Sequence, residues 1–147
     1  MIEDQIEQDL KAAMLSRDVT KISTLRGVKS AFLYAKVSLG KRDTVLSDQD
    51  AIQILQKEAK KRQESADLYT KVGEKDRAQK EMYEKSLIEV YLPSKISEDD
   101  LKDLIQSIIK DHPEFNMGQI ISEVKSKTAG RAEGGDIARL VKVELGR

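Results

Sequence analysis

Arg131 lies inside the run Gly130-Arg131-Ala132-Glu133-Gly134-Gly135, with Lys125 and Lys127 before it and Arg139 and Lys142 after it. These residue types suit phosphate contact rather than bond-breaking chemistry. A guanidinium offers a planar fork of donors to a phosphate, and it also stacks on a splayed base. Glycines in a turn let another backbone approach closely, and amides opening the next helix favour an anion. The same cations equally fit an ordinary solvated helix face. Asp136, expected to cap the following helix, would compete with a phosphate for its N-terminus. No aromatic residue lies in 117–147, so stacking of bases on rings is not expected there.

Other chemistries find little footing. The chain has no cysteine, which removes thiol nucleophiles, thiolate metal sites and disulfides. Its single histidine, His112, stands between Asp111 and Pro113 at an expected helix end, where a solvated side chain or a dipole-complementing charge accounts for it. No Gly-x-Ser-x-Gly elbow occurs. Ser122-x-x-Lys125 has hydrolase spacing but no partner motif. There is no phosphate-loop motif and no calcium-loop spacing of acids. Glu98, Asp99 and Asp100 cluster in a first helical turn, where they complement the helix dipole. No catalytic residue, no metal site and no cofactor is expected. The basic run Lys57, Lys60, Lys61 and Arg62, interleaved with Glu58 and Glu64, reads as a salt-bridged solvated face, with a phosphate-contacting strip as the alternative.

The elements that would carry these residues are helices throughout. The 147 residues hold 26 basic and 26 acidic side chains and only 4% aromatics. A neutral charge argues against strong nonspecific nucleic-acid binding by the whole chain. Regionally, residues 94–116 carry a net −3 and residues 117–147 a net +2. Apolar residues recur at steps of three and four. Ile2, Ile6, Leu10, Ala13 and Met14 mark a first helix. Leu25, Val28, Phe32, Ala35 and Leu39 mark a second, capped by Asp18, stopped by Gly40 and interrupted by Gly27. Ser47-Asp48-Gln49-Asp50 resembles a capping box. It opens a third helix with Ile52, Leu55, Ala59, Ala66 and Tyr69. After Gly73 a fourth carries Ala78, Met82, Leu87, Ile88 and Tyr91, with Glu81-Lys85 as an i,i+4 pair. The third and fourth are expected to form a long, charged antiparallel hairpin. Pro93 breaks the chain into an N-terminal helical domain, 1–93, and a C-terminal three-helix domain, 94–147. In the latter, Ser97 caps Leu101, Leu104, Ile105, Ile108 and Ile109. Asn116 caps Met117, Ile120, Ile121 and Val124, which Gly130 terminates. Asp136 caps Ile137, Leu140, Val141 and Leu145. No run alternates as a strand would, so the fold class is all-α.

The ordered set Asp9-Leu10-Lys11-Ala12-Ala13-Met14, Leu25-Arg26, Lys57 to Ser65, Tyr91-Leu92-Pro93, Met117-Gly118 and Gly130-Arg131-Ala132-Glu133-Gly134 resembles the YqeY-like family over nearly the full length. That family is related to the tail of the B subunit of the tRNA-dependent amidotransferase, and the module is also appended to some glutaminyl-tRNA synthetases. The resemblance implies an all-helical fold whose small C-terminal part helps recognise tRNA, with the kinase and transamidation chemistry in other domains. It places Met117, Gly118, Gly130 and Arg131 at the family's characteristic positions. Glu133 departs from the usual Asp there, and Asp76-Arg77-Ala78 from the usual Asp-Leu.

Together these readings give a noncatalytic accessory module that binds tRNA, an aminoacyl-tRNA synthetase or an amidotransferase component. The expected nucleic-acid contacts are Met117, Gly118, Lys125, Lys127, Gly130, Arg131, Arg139 and Lys142. A helical protein-interaction adaptor using the charged hairpin is the alternative, and participation in glutamine-dependent amide transfer is a third. The acidic start Met1-Ile2-Glu3-Asp4 is not a signal peptide, and no apolar stretch nears the roughly 20 residues that span a bilayer. A cytoplasmic location is expected.

Overall fold

The computed structural model describes residues 1–146, which form seven helices and no strand. The chain divides into two compact units, Met1–Leu92 and Pro93–Arg147.

In the first unit, α1 (Ile2–Ser16) buries Ile6, Leu10 and Ala13. It stops where Arg17 takes left-handed angles and the Asp18 amide reaches back to the Ala13 carbonyl. The Asp18 carboxylate then accepts from the Lys21 amide and starts α2 (Val19–Ser38) at once. This helix buries Leu25, Val28 and Phe32. Met14 and Leu39, expected inward, are exposed. Met14 sits a full residue step from the buried stripe, and Leu39 lies beyond the last helical residue. Gly27 does not mark a close backbone crossing. The nearest atom to a Cβ built there is the tip of the Arg62 side chain, at 4.0 Å.

Ser47 accepts from the Asp50 amide and opens α3 (Asp48–Lys71), which returns through Gly73 into α4 (Lys75–Glu89). The base of this hairpin joins the core through Ala51, Leu55, Ala59 and Ile88. Its tip is solvated, with the Arg77 guanidinium over the Tyr69 ring. The expected Glu81-Lys85 pair gives way to contacts across the hairpin. Glu81 accepts from Arg62 and Lys85 donates to Gln63, while Lys85 also meets Glu89 one turn on in its own helix. Arg62 is thus no member of a solvated basic face. The facing helix α4 offers it two carboxylates, Glu81 and Glu84.

In the second unit, Ser97 caps α5 (Glu98–Asp111) by accepting from the Asp100 amide. A reciprocal box between Asn116 and Gln119 opens α6 (Met117–Thr128). Left-handed angles at Ala129 and Gly130 end it. Helix α7 (Gly134–Glu144) starts three residues earlier than expected, so Asp136 lies in its first turn rather than at the cap. Glu133 occupies the cap, and its side chain makes no capping hydrogen bond to the helix amides. Gly134 and Gly135 are the first two residues of this helix. Leu101, Ile105, Ile108, Ile120, Val124, Ile137, Leu140 and Val141 form the core of this unit.

Candidate nucleic-acid interface

The loop between α6 and α7 is held down at Arg131. Its amide donates to the Thr128 carbonyl at 3.0 Å, and its carbonyl accepts from the Ile96 amide at 2.8 Å. Its Nε donates to the Ser94 carbonyl at 3.1 Å. The backbone and the inner edge of the guanidinium are therefore fixed. The two terminal nitrogens make no hydrogen bond among the described residues and face solvent. An arginine restrained at Nε and open at Nη is a pre-organised phosphate fork.

Around this side chain lies a cleft of about 90 Å³, rimmed by Lys95, Glu98, Glu133, Asp136 and Arg139. Small-molecule sites are typically about 300–1,000 Å³, so this one suits a surface-bound anion better than an enclosed ligand. With Arg131 itself, its lining balances three cations against three carboxylates. Arg139 Nη2 stands 3.1 Å from Glu98 and 3.9 Å from Asp136. Lys95 Nζ is 3.2 Å from Glu133. These pairs are exposed, so each is worth little and yields readily to a competing polyanion. Arg131 has no carboxylate partner of its own among the described residues.

Lys125, near the C-terminal end of α6, lies against the first residue of α7. A Cβ on Gly134 would sit 3.6 Å from its Cε and 3.7 Å from its Nζ. An ammonium over a helix N-terminus opposes the helix dipole. Here the first-turn amides also lack a capping side chain. An anion bound at this spot would meet both charges favourably.

The eight residues predicted from sequence do not form one patch. Arg131 and Arg139 share the cleft, and Lys125 and Gly130 flank the same loop. Lys127 turns to Glu123 at 3.8 Å. Lys142 is exposed three residues beyond Arg139 on α7. Met117 and Gly118 begin α6, about 15 Å along the helix from Lys127. Met117 is partly buried against the core, and Gly118 sits beside the capping Asn116. Their observed roles are packing and helix initiation. Lys95, Glu98 and Glu133 were missed as rim residues. Lys95 comes from the segment before α5, which the Ile96–Arg131 backbone bond and the Arg131–Ser94 bond bring here, contacts that no periodicity announces.

A family model described as "Yqey-like protein" matches residues 3–145. The Altered inheritance of mitochondria protein 41, mitochondrial, of Eremothecium gossypii is 36% identical over 87 residues, which is 59% of this chain and 46% of that protein. The match thus spans less than half the length of this curated relative. No helix among the described residues is long and apolar enough to cross a membrane.

Proposed function

The chain belongs to the Yqey-like protein family, and from that premise we propose that its C-terminal unit is a noncatalytic module that binds tRNA. The observation that carries this reading is Arg131, fixed through its backbone and Nε while its terminal nitrogens stay open. Lys125 at the uncapped start of α7 adds a second phosphate contact, and Lys142 extends the basic side of α7. Arg139 joins only when a phosphate displaces Glu98 and Asp136. A footprint of two to four phosphates gives modest affinity on its own, which suits an accessory to a synthetase or amidotransferase rather than a self-sufficient tRNA binder. The relation of this family to the amidotransferase tail supports the same substrate.

The cytoplasm is the expected compartment. The fungal relative is by its name a mitochondrial protein, so the tRNA pool of an organelle is the other setting to sample.

The test is binding of the purified chain to bulk tRNA across a salt series, beside Arg131→Gln and Lys125→Ala. The logarithm of affinity should fall by roughly 0.9 or less per phosphate contact per tenfold salt, and each variant should lower that slope by about one contact. Affinity indifferent to salt and to both variants would overturn the reading.

A further inference from the structure

The C-terminal cleft leaves the N-terminal unit without a task, and that unit has a groove of its own. Helices α1 and α2 meet at the tight turn Arg17-Asp18 and run back past each other, with Lys29 on Glu7 at 2.8 Å and Lys36 on Glu3. Glu7, Leu10, Lys11 and Met14 stand at i, i+3, i+4 and i+7 of α1, and Arg26, Lys29 and Ser30 at i, i+3 and i+4 of α2, so each set forms one side of its helix. Together they line an open groove of about 560 Å³. That volume falls within the range of small-molecule sites, about 300–1,000 Å³. Leu10 is buried beneath the groove, and Met14 is 48% exposed. The side chains of Lys11, Arg26 and Ser30 make no ion pair or hydrogen bond among the described residues. Lys11 and Met14 belong to the segment Asp9 to Met14 and Arg26 to Leu25-Arg26, two segments that the C-terminal site does not use.

We propose that this groove binds a nucleoside 5′-monophosphate, its phosphate on Lys11 and Arg26 and its base over Met14. Three cations against one carboxylate leave the lining with a net charge of +2. Lys29 answers Glu7, so the surplus is Lys11 and Arg26. A terminal phosphate carries a charge of about −1.5 to −2 at pH 7 and matches that surplus; a carboxylate or a phosphodiester carries a single charge and meets half of it. The Arg26 guanidinium offers a fork to two phosphate oxygens, the Lys11 ammonium a point charge, and the Ser30 hydroxyl one further donor. The apolar part of the lining selects what the phosphate is attached to. A methionine thioether makes favourable contact with a ring, whereas a sugar phosphate would set hydroxyls against Met14 without partners. A base inside a duplex is held in its stack. The two sources of this chemistry are therefore a free nucleotide and the unpaired 5′ end of an RNA.

The experiment titrates the full chain with adenosine 5′-monophosphate, adenosine and acetate in turn, with the Met14 methyl resonance and the Ser30 amide as reporters. The monophosphate should shift both and bind at least tenfold tighter than adenosine, and acetate should leave them in place. Lys11→Gln with Arg26→Gln, two exposed positions, should weaken the monophosphate at least tenfold. Arg131→Gln, which acts on the C-terminal site, should leave it unchanged, so the groove stands or falls apart from the tRNA reading. A single-stranded RNA with and without a 5′-phosphate then separates the two sources. If the source is an RNA end, the phosphorylated strand binds tighter than both its 5′-hydroxyl twin and the free nucleotide; if it is a free nucleotide, the 5′-phosphate on the strand makes no difference. Four results would each overturn the proposal: no shift with either the monophosphate or the phosphorylated strand; equal affinity for adenosine and its monophosphate; shifts with acetate as large as with the monophosphate; or monophosphate binding that survives the loss of Lys11 and Arg26.

Discussion

Removing Arg62 should unfold the N-terminal unit more effectively than any other surface-charge change on the α3–α4 hairpin. Its Nη1 stands 2.7 Å from Glu84 Oε2, while its hydrogen bond goes to Glu81 Oε2 at 3.2 Å. Glu84 is 7% exposed, and its Oε2 has no aligned donor of its own. The buried carboxylate is therefore held by proximity to one guanidinium, which it shares with a second carboxylate. At an effective dielectric of about 20, a contact at 2.7 Å is worth roughly 6 kcal/mol before desolvation. The net cost of deleting one partner from a buried pair is about 3–5 kcal/mol, because the other charge is left behind. The Arg62 side chain is 30% exposed, so solvent screens part of the attraction and the expected loss sits near the lower bound, about 3 kcal/mol. For a unit of this size each kcal/mol moves the midpoint by roughly 4–8 °C, so Arg62→Ala should lower it by at least about 12 °C.

Thermal and urea unfolding followed by circular dichroism measure this directly. The diagnostic step is the double variant. Glu84→Gln placed on Arg62→Ala removes the stranded charge and should return about 2 kcal/mol, although Glu84→Gln alone is destabilising. An Arg62→Ala loss under about 1 kcal/mol, or a double variant no better than the single one, would refute the argument that Glu84 is a buried charge needing its partner.

Tyr91 donates its hydroxyl proton to Asp9, and burial first, then this hydrogen bond and the nearby charge, hold its ionisation well above the usual phenol range. Tyr91→Phe should cost about 1.5 kcal/mol. Because the folded-state pKa is raised, the contribution of Tyr91 is complete below about pH 10 and is lost as pH climbs toward the folded value; denaturant titrations should show that alkaline loss in the wild type and not in the variant. Ala129→Gly should stabilise the C-terminal unit by about 1 kcal/mol in thermal unfolding, since Ala129 sits at φ 47° where an L side chain is penalised. Gly27→Ala should stabilise the N-terminal unit by roughly 0.5–1 kcal/mol through helix propensity, because a Cβ there meets only the Arg62 tip at 4.0 Å. Glu98→Gln should free Arg139 and raise tRNA affinity severalfold in the salt series, and unchanged or weaker binding would remove Arg139 from the interface.

Most of the fold is legible in the residues alone. Asp18, Ser47, Ser97 and Asn116 cap the helices expected of them, since a short polar side chain before an apolar period has one natural use. The apolar stripes of α5, α6 and α7 merge into one core. The departures share a cause. Asp136 reads as a cap because its side chain is a good one and because Gly134-Gly135 resembles a turn. Two glycines are free to turn or to coil, and only tertiary packing decides between these; here the helix extends over both. Arg62 reads as solvated because its neighbours in sequence are charged, whereas its partners stand 19 and 22 residues away. Local pattern gives the face a residue belongs to, not what the opposite helix presents.

The candidate site is less legible for a related reason. Counting charge along 117–147 treats every lysine and arginine as available. The fold assigns Arg139 to Glu98 and Lys127 to Glu123, and it turns Met117 inward. The set that survives is smaller, chosen by restraint rather than by charge. Arg131 is anchored on three sides and open on the fourth, and Lys125 is laid over an uncapped helix start. A few pre-organised donors lose less freedom on binding than a longer row of mobile lysines, so they contribute more per contact. A neutral chain can therefore present a phosphate-reading edge without the basic composition that advertises one. Affinity for tRNA should accordingly concentrate in Arg131 and Lys125, and removing exposed cations of the N-terminal unit such as Lys57 or Lys60 should leave it nearly unchanged.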